Sequence, residues 1–354
     1  MFLINFMQVV KKNIFGNLMV YSLAHFLIDA TCAAVIFNLY FTQKVNSSTL
    51  FLLVILYNLL AFGFQPFIGL LTDKYKCPRE SAVIGSILVG LSAIFVLFSP
   101  IISIILAGIG NAFFHIGGGT ITLNLDNRKA TMPGIFVAPG ALGLFVGTLI
   151  GKIGNFSALP FVICLLVACF LMYIIKTPKI DYDTSKTNTN YLELILLLLL
   201  LTIALRSIVG LAIIFPWKST LSLLVALTFG VVLGKALGGY LGDKFGWKRV
   251  AIISLLVSAP LLFFGVNYPL LGILGMFLFN MTMPITLVAI SNTLPGRPGF
   301  AFGLTCLALE IGAIFTFTSL KSTLSNNFVI LAMVLISTVV IYFGLNYYNK
   351  ANKK

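Results

Sequence analysis

Twelve apolar segments, each long enough to cross a lipid bilayer as a helix, constrain this 354-residue chain more than any other feature. A hydrocarbon core of roughly 30 Å requires about 20 helical residues. The segments are continuous and rich in Leu and Ile, whereas the strands of a membrane barrel alternate polar and apolar residues. A composition of 59% hydrophobic and 9% charged residues agrees with this. The sequence therefore predicts an all-α membrane protein with twelve transmembrane helices near 16–41, 49–72, 81–99, 101–125, 131–152, 157–175, 191–215, 219–242, 250–266, 269–293, 299–319 and 327–348.

Basic residues are distributed unequally between the two sides that these segments predict. If the amino terminus is inside, the inner side has 17 basic residues and the outer side has four. The inner set is Lys11, Lys12, Lys74, Lys76, Arg79, Arg128, Lys129, Lys176, Lys179, Lys186, Lys244, Lys248, Arg249, Arg297, Lys350, Lys353 and Lys354. The outer set is Lys44, Lys152, Lys218 and Lys321. By the positive-inside rule, we expect both termini in the cytoplasm and a multi-pass protein of the cytoplasmic membrane.

Other classes of function find little support in the sequence. The net charge of +14 is spread over short loops, so we expect no nucleic-acid partner. The five cysteines lack the spacing of a metal site or a disulfide framework. The sequence shows no HExxH motif, glycine-rich phosphate loop or nucleophile constellation. We therefore expect neither an enzyme nor a bound cofactor.

A short motif occurs twice, 170 residues apart, and indicates an internal repeat. The copies are Gly69-Leu-Leu-Thr-Asp73-Lys74 and Gly239-Tyr-Leu-Gly-Asp243-Lys244, each at the end of an apolar segment. The polar stretch after Lys176 joins the sixth segment to the seventh. The sequence thus predicts an N-terminal six-helix bundle at 1–176, a cytoplasmic linker at 177–190 and a C-terminal six-helix bundle at 191–354.

Six plus six helices, with this motif after the second and eighth, resemble the major facilitator superfamily of transporters. The resemblance implies two pseudo-symmetric bundles, the major facilitator fold, with a substrate path between them. It also implies a gating or structural role for residues of the two motif copies: Gly69, Asp73, Lys74, Arg79, Gly239, Asp243, Lys244 and Arg249. In the family the carboxylate caps or bridges helix ends; charge pairing with the adjacent cations is an alternative. Lys76 stands where the family pattern has Gly.

Two further stretches make the resemblance more specific. Gly134, Gly143, Gly147 and Gly151 in the fifth segment follow the glycine-rich pattern of proton antiporters in the superfamily, although ordinary close helix packing is an alternative. The first half resembles the fosmidomycin-resistance group of efflux proteins, through His25-Phe26 with Asp29, Gln65-Pro66 before Gly69, and the stretch from Gly108 to His115. Ile116 and three glycines follow the histidine here, where that group tends to have Pro and an acidic residue.

Ionisable side chains within apolar segments are costly and therefore candidates for function. There are six: His25, Asp29, His115, Arg206, Lys235 and Glu310. Proton coupling is predicted for Asp29, His25, His115 and Glu310, and substrate binding for Arg206, Asn111 and Phe114. His25 and Asp29 are four residues apart and share one helix face. The alternatives are a fixed His25–Asp29 pair, a His115 held by Asn111, and a structural ion pair between Lys235 and Glu310, which is the favoured interpretation of that pair.

The predicted function is secondary active transport of a small molecule by alternating access, as proton-coupled efflux. Proton-coupled uptake is one alternative. Transport of a divalent metal through His25, Asp29 and His115 is another. A membrane sensor and an intramembrane enzyme are the least favoured. Small-molecule substrate, protons and the lipid bilayer are the expected partners, and a monomer is the expected state.

Overall fold

The computed structural model describes residues 2–42, 45–126, 128–154, 156–185 and 190–352, with side chains from Asn13 onward. Over these residues the chain forms fifteen α-helices and no β-strand. They are α1 (Phe2–Phe41), α2 (Ser47–Asn58), α3 (Gln65–Tyr75), α4 (Pro78–Phe95), α5 (Pro100–Leu123), α6 (Thr131–Lys152), α7 (Ala158–Ile174), α8 (Leu192–Ala212), α9 (Leu221–Phe245), α10 (Trp247–Gly265), α11 (Pro269–Asn280), α12 (Thr282–Thr293), α13 (Pro298–Thr316), α14 (Lys321–Leu324) and α15 (Asn327–Ala351).

Each of the twelve predicted segments coincides with one helix or with two consecutive helices. Within the described ranges, eleven helical stretches are long and apolar enough to cross a membrane. The twelfth, α7, is apolar but has only 17 residues. The all-helical architecture is thus confirmed, and the count of twelve spanning helices stays a prediction.

The chain divides into two compact units that nearly follow the predicted halves. Unit 1 comprises 1–128, 139–182 and 298–303, and unit 2 comprises 129–138, 183–297 and 304–354. The predicted bundles differ from these units at 129–138 and 298–303, the starts of α6 and α13, which belong to the opposite unit. The change of unit after Tyr182 falls within the predicted linker, of which 186–189 lies outside the described residues. Lys44, Lys186, Lys353 and Lys354, used to predict topology, also lie outside them.

Proline and polar side chains define several helix starts. Pro78, Pro100, Pro269 and Pro298 each occupy the first position of a helix, where a missing N–H costs nothing because that group has no intrahelical acceptor. Asn46 caps α2 by accepting a hydrogen bond from the Thr49 N–H at 2.8 Å. These residues mark the starts of α2, α4, α5, α11 and α13.

Two of the predicted continuous segments are interrupted. The segment 49–72 contains a π-helical turn at Leu59–Gly63 between α2 and α3. The segment 269–293 is divided at Met281, between α11 and α12. Pro284 is the third residue of α12. Such interruptions in membrane helices often occur near functional sites.

Glycines allow close helix packing within unit 1. A Cβ added at Gly110 of α5 would lie 2.8 Å from the carbonyl oxygen of Gly85 in α4. One added at Gly117 would collide with the backbone of α4 at Pro78. Backbones approach this closely only where side chains are absent, as is common in membrane helix pairs.

Unit 2 is packed in the same way. Gly230, Gly234 and Gly238 of α9 lie against α11 and the residue after it, and Gly265 of α10 meets Gly272 of α11. In both units, large apolar side chains such as Phe67, Phe170 and Phe328 are exposed at helix surfaces. Surfaces of this kind are stable in contact with lipid and not in contact with water.

Candidate functional site

His25 and Asp29 form the centre of a buried polar cluster in unit 1. Both lie on α1, and their spacing of one helical turn places the His25 Nε2 3.3 Å from the Asp29 Oδ2. The His25 side chain is 5% exposed and that of Asp29 is 20% exposed. The carboxylate is therefore the part of the cluster most accessible to a solute or a proton.

Helix α5 contributes His115 and Asn111 to the same cluster. The two histidines meet through their Nε2 atoms at 2.9 Å, and the His115 Nε2 is 3.7 Å from the Asp29 Oδ1. The Asn111 Nδ2 lies 3.3 Å from the Asp29 Oδ1, and the Asn111 carbonyl oxygen is 2.9 Å from the His115 Nδ1. Since that backbone oxygen can only accept, the His115 Nδ1 carries a hydrogen and its Nε2 faces His25 as an acceptor in the neutral form.

One hydrogen must therefore lie between the two imidazoles. If His115 is neutral, the His25 Nε2 donates to it, and a second hydrogen at this contact would place two N–H groups against each other. The arrangement can accept or release a proton by small changes in which nitrogen or oxygen carries it. Its three titratable groups lie within 4.8 Å of one another.

The sequence did not indicate the residue that closes this cluster, Gly140 of α6. A Cβ at this position would lie 2.5 Å from the Asp29 Oδ2 and would collide with the His25 Nε2. The only signal in the sequence was its place three residues before Gly143. Phe114, predicted to bind substrate, is fully buried, with its ring centroid 6.0 Å from that of His25. It packs behind the cluster.

The glycine stripe of α6 brings this helix against α1. Cβ atoms at Gly143 and Gly147 would collide with the carbonyl oxygens of Phe26 and Ala30. Gly151 continues the contact at Ala34. Gly134, which the sequence grouped with these three, instead lies in unit 2 against Lys235 and Pro284. The row of α6 glycines that contacts α1 thus begins at Gly140 and not at Gly134.

The motif carboxylates cap two helix starts. Asp73 accepts hydrogen bonds from the N–H groups of Gly299 and Phe300, at 2.9 and 2.8 Å, at the start of α13. Gly69 adjoins the backbone of Gly299, where a Cβ would lie 2.5 Å from the carbonyl carbon. These contacts are within unit 1, and the negative charge is placed where the helix dipole stabilises it.

Asp243 does the same within unit 2. It accepts from the N–H groups of Ala130 and Thr131, at 2.9 and 2.8 Å, and from the Thr131 hydroxyl at 2.5 Å. The indole Nε1 of Trp247 donates to the Asp243 Oδ1 at 2.8 Å, the oxygen that also accepts from Ala130. Gly239 lies against the Ala130 backbone, where a Cβ would collide. Both motif copies therefore use the same combination of a glycine contact and a carboxylate cap.

The basic residues of the motifs contact rings and carbonyls. Arg79 donates to the carbonyl oxygen of Ile175. The remaining contacts are cation–π: Lys74 lies 5.4 Å from the Tyr75 ring centroid, and Lys244 lies 5.2 Å from that of Phe245. Arg249 is exposed.

The turn after the first motif copy accommodates Lys76 in a conformation that favours glycine. Its φ of 55° and ψ of 39° are left-handed, and its N–H bonds to the Thr72 carbonyl to end α3. The turn is thus formed although Gly is absent. Its ammonium lies 5.9 Å from the Tyr182 ring, and burial, followed by the negative charge of Asp73, raises the pKa of the Tyr182 hydroxyl.

The other ionisable groups predicted from the sequence lie in unit 2. Arg206 of α8 is buried against Phe279 of α11, and Glu310 of α13 is also buried. Lys235 lies half-buried on α9. The predicted ion pair between Lys235 and Glu310 stays a prediction.

Long apolar helices that bury titratable side chains are features of a helical membrane protein. The chain is 28% identical over 303 residues, 73% of its own length and 73% of the relative's, to an uncharacterized MFS-type transporter, YfnC, of Bacillus subtilis (strain 168). No known family model matches the sequence.

Solved structures share the fold. The Escherichia coli fucose:proton symporter FucP superimposes with a TM-score of 0.70 at 11% identity, covering 95% of this chain and 98% of that one. The proton:xylose symporter XylE gives 0.69 at 15% identity, covering 94% and 96%. A bacterial homologue of the iron transporter ferroportin gives 0.64 at 13% identity, covering 97% and 100%. At these identities the comparisons show a shared fold.

Proposed function

We propose that this protein is a proton-coupled secondary transporter that exports a small molecule, with Asp29, His25 and His115 as its proton-binding site. The observation that carries the proposal is the contact of two imidazoles and one carboxylate within 4.8 Å, inside helices α1 and α5. Buried ionisable groups inside membrane helices mark proton relays and solute pathways. This cluster contains three of them.

Coupling follows from the exchange of a proton for solute at Asp29. The carboxylate is the most exposed group of the cluster, and it contacts Asn111 through Oδ1 and His25 through Oδ2. Protonation removes its negative charge and changes which neighbours can donate to it. A transporter couples two fluxes when its conformations differ in affinity for the proton and the solute.

Efflux is the proposed direction. Two features support it: the resemblance of the first half to the fosmidomycin-resistance group, and the contact of the glycine stripe of α6 with α1. Glu310 is a further proposed coupling residue on α13. Asp73 and Asp243 are proposed to gate transport by holding or releasing the starts of α13 and α6. The proposed location is the cytoplasmic membrane, with both termini in the cytoplasm and the protein as a monomer.

The sign of the proton movement distinguishes export by antiport from uptake by symport. Purified protein is reconstituted in sealed vesicles that contain a pH-sensitive dye, and fosmidomycin and a panel of small polar solutes are added outside at equal pH. An antiporter releases protons as solute enters, so we expect the internal pH to rise. Symport would make it fall. Absence of any protein-dependent change for every solute would contradict proton coupling, with protein-free vesicles as the control.

A second candidate function, transport of a divalent transition metal, is favoured by the distances within the same cluster. Donor atoms bound about 2.0–2.1 Å from a tetrahedral ion lie roughly 3.3 Å apart. Here the two Nε2 atoms are 2.9 Å apart. The His25 Nε2 is 3.3 Å from the Asp29 Oδ2, and the His115 Nε2 is 3.7 Å from the Asp29 Oδ1. Three such donors leave a fourth position open, as in a site that exchanges its ligand.

Binding of Zn²⁺ to the purified protein tests this candidate. If the cluster binds the ion, micromolar Zn²⁺ will raise the melting temperature, and His115→Ala will remove the effect. Since excess ion adds RT ln(1 + [L]/Kd), a hundredfold excess over Kd corresponds to about 2.7 kcal/mol. A Zn²⁺ effect that is equal in His115→Ala would show that the ion binds elsewhere and would remove this candidate.

A further inference from the structure

Arg206 is a buried cation that has no anionic partner in the described part of the chain. It lies on α8 in unit 2 and is 8% exposed. Its Nη2 is 3.4 Å from the Phe279 carbonyl oxygen, and its guanidinium lies 5.3 Å from the Phe279 ring centroid. Its Nε is buried without a hydrogen-bond partner. The ion pairs of the described residues do not include it.

These contacts do not compensate the burial of a guanidinium. Arginine remains protonated in proteins and presents five N–H donors in a planar fork, of which a single long hydrogen bond uses one. A buried charge without a counterion destabilises a folded protein. Residues that destabilise the fold in this way occur mainly where function requires them.

The local backbone also favours an anion near Arg206. Phe279 is the penultimate residue of α11, and the span is broken at Met281 before α12 begins at Thr282. No side-chain hydrogen bond caps the start of α12, and Pro284, its third residue, has no N–H. Discontinuous membrane helices present the positive end of their second half to anionic groups of the substrate. Arg206 contacts Phe279, and α12 begins three residues after Phe279.

We propose that Arg206 binds an oxyanion of the transported solute, so that the substrate class is small solutes with a carboxylate or a phosphate-type group. Such a group accepts two parallel N–H bonds from the guanidinium fork, including one from the unpartnered Nε. The inference rests on the proposed transport function, because it names what is transported. It does not depend on the proton-binding residues of unit 1.

The first test needs no ligand. Arg206→Met removes the charge and keeps an unbranched apolar side chain of similar reach against Phe279. If Arg206 is retained for binding, the variant without ligand will melt at the wild-type temperature or a few degrees above it. If Arg206 instead holds α8 against α11, Arg206→Met will melt several degrees lower and Arg206→Lys will restore much of the loss. That second pattern would overturn the proposal.

The second test measures binding with matched probes on the full chain in detergent. Inorganic phosphate and methylphosphonate form one arm, and lactate and succinate form the other, at equal ionic strength against chloride. Lactamide and succinamide are the neutral counterparts. We expect at least one oxyanion to raise the melting temperature of the wild type by 2 °C or more. Its neutral counterpart and the Arg206→Met variant should show no such shift.

The outcomes separate this inference from the transport proposal. The arm that stabilises the protein identifies the phosphate-type or the carboxylate group. Equal stabilisation of wild type and Arg206→Met, or no stabilisation of the wild type by any oxyanion over chloride, overturns anion binding at Arg206. Binding that depends on Arg206 without any flux in vesicles would instead contradict the transport function and leave the anion site standing.

Discussion

Asp29→Asn is expected to lower proton-driven transport strongly and to leave the protein folded. The amide has the size of the carboxylate and keeps an oxygen that can accept from Asn111, but it cannot bind and release a proton. Hydrogen bonds to a charged group contribute about 1.5–3 kcal/mol, so loss of the charge corresponds to roughly 10–100-fold in rate. Gradient-driven flux should fall by this factor, whereas solute exchange without a gradient should continue.

The measurement compares the two kinds of flux in the same vesicles. Asp181→Asn is the matched control, because Asp181 is an exposed carboxylate in the predicted linker at 177–190 and no coupling role is assigned to it. It should transport like the parent. If Asp29→Asn concentrates solute under a proton gradient as well as the parent does, the assignment of Asp29 as the coupling carboxylate is wrong. Loss of exchange as well as of coupling would point to a direct role in solute binding.

Gly147→Ala is expected to cause the largest loss of stability. The added methyl group would meet the Ala30 carbonyl oxygen, a backbone atom that cannot rotate away, so α6 must move from α1. Overpacking of this kind costs about 1–3 kcal/mol, and each kcal/mol changes the melting temperature of a unit of this size by roughly 2–4 °C. We therefore expect a fall of about 2–12 °C by fluorescence or light scattering.

Gly210→Ala is the matched control for this substitution. Gly210 lies in the last turn of α8, and a Cβ there meets nothing within 4 Å. Alanine favours a helix over glycine by about 0.8–1.0 kcal/mol, so Gly210→Ala should leave the melting temperature unchanged or raise it slightly. Equal melting temperatures for Gly147→Ala and Gly210→Ala would show that the close contact between α1 and α6 is absent in the protein.

The sequence predicted the positions of the helices well, because their lengths and apolarity are set by the bilayer. It also placed His25 and Asp29 on one face of α1, since residues four apart share a face in any helix. It could not predict the rotation of uniformly apolar helices about their axes. For this reason it did not predict that Gly140 lies against His25 and Asp29, or that Phe114 is buried beside His25.

The sequence also did not predict which unit the starts of α6 and α13 belong to. The starts of α6 and α13 cluster with the opposite unit, where Asp243 and Asp73 cap them. The repeat of the motif indicated that these carboxylates share a role, but the N–H groups that donate to them lie 112 and 226 residues away along the chain. Local patterns contain no information on contacts at that separation.

Trp247 donates its indole N–H to Asp243, and its ring stacks on Tyr348 with 5.8 Å between centroids. The chain has only two tryptophans, and the other, Trp217, donates to the carbonyl oxygen of Gly265 instead. Intrinsic fluorescence of the protein therefore contains a native reporter on the motif carboxylate. With Trp217→Phe, the emission spectrum would follow whether the Asp243 cap is closed, without any attached dye.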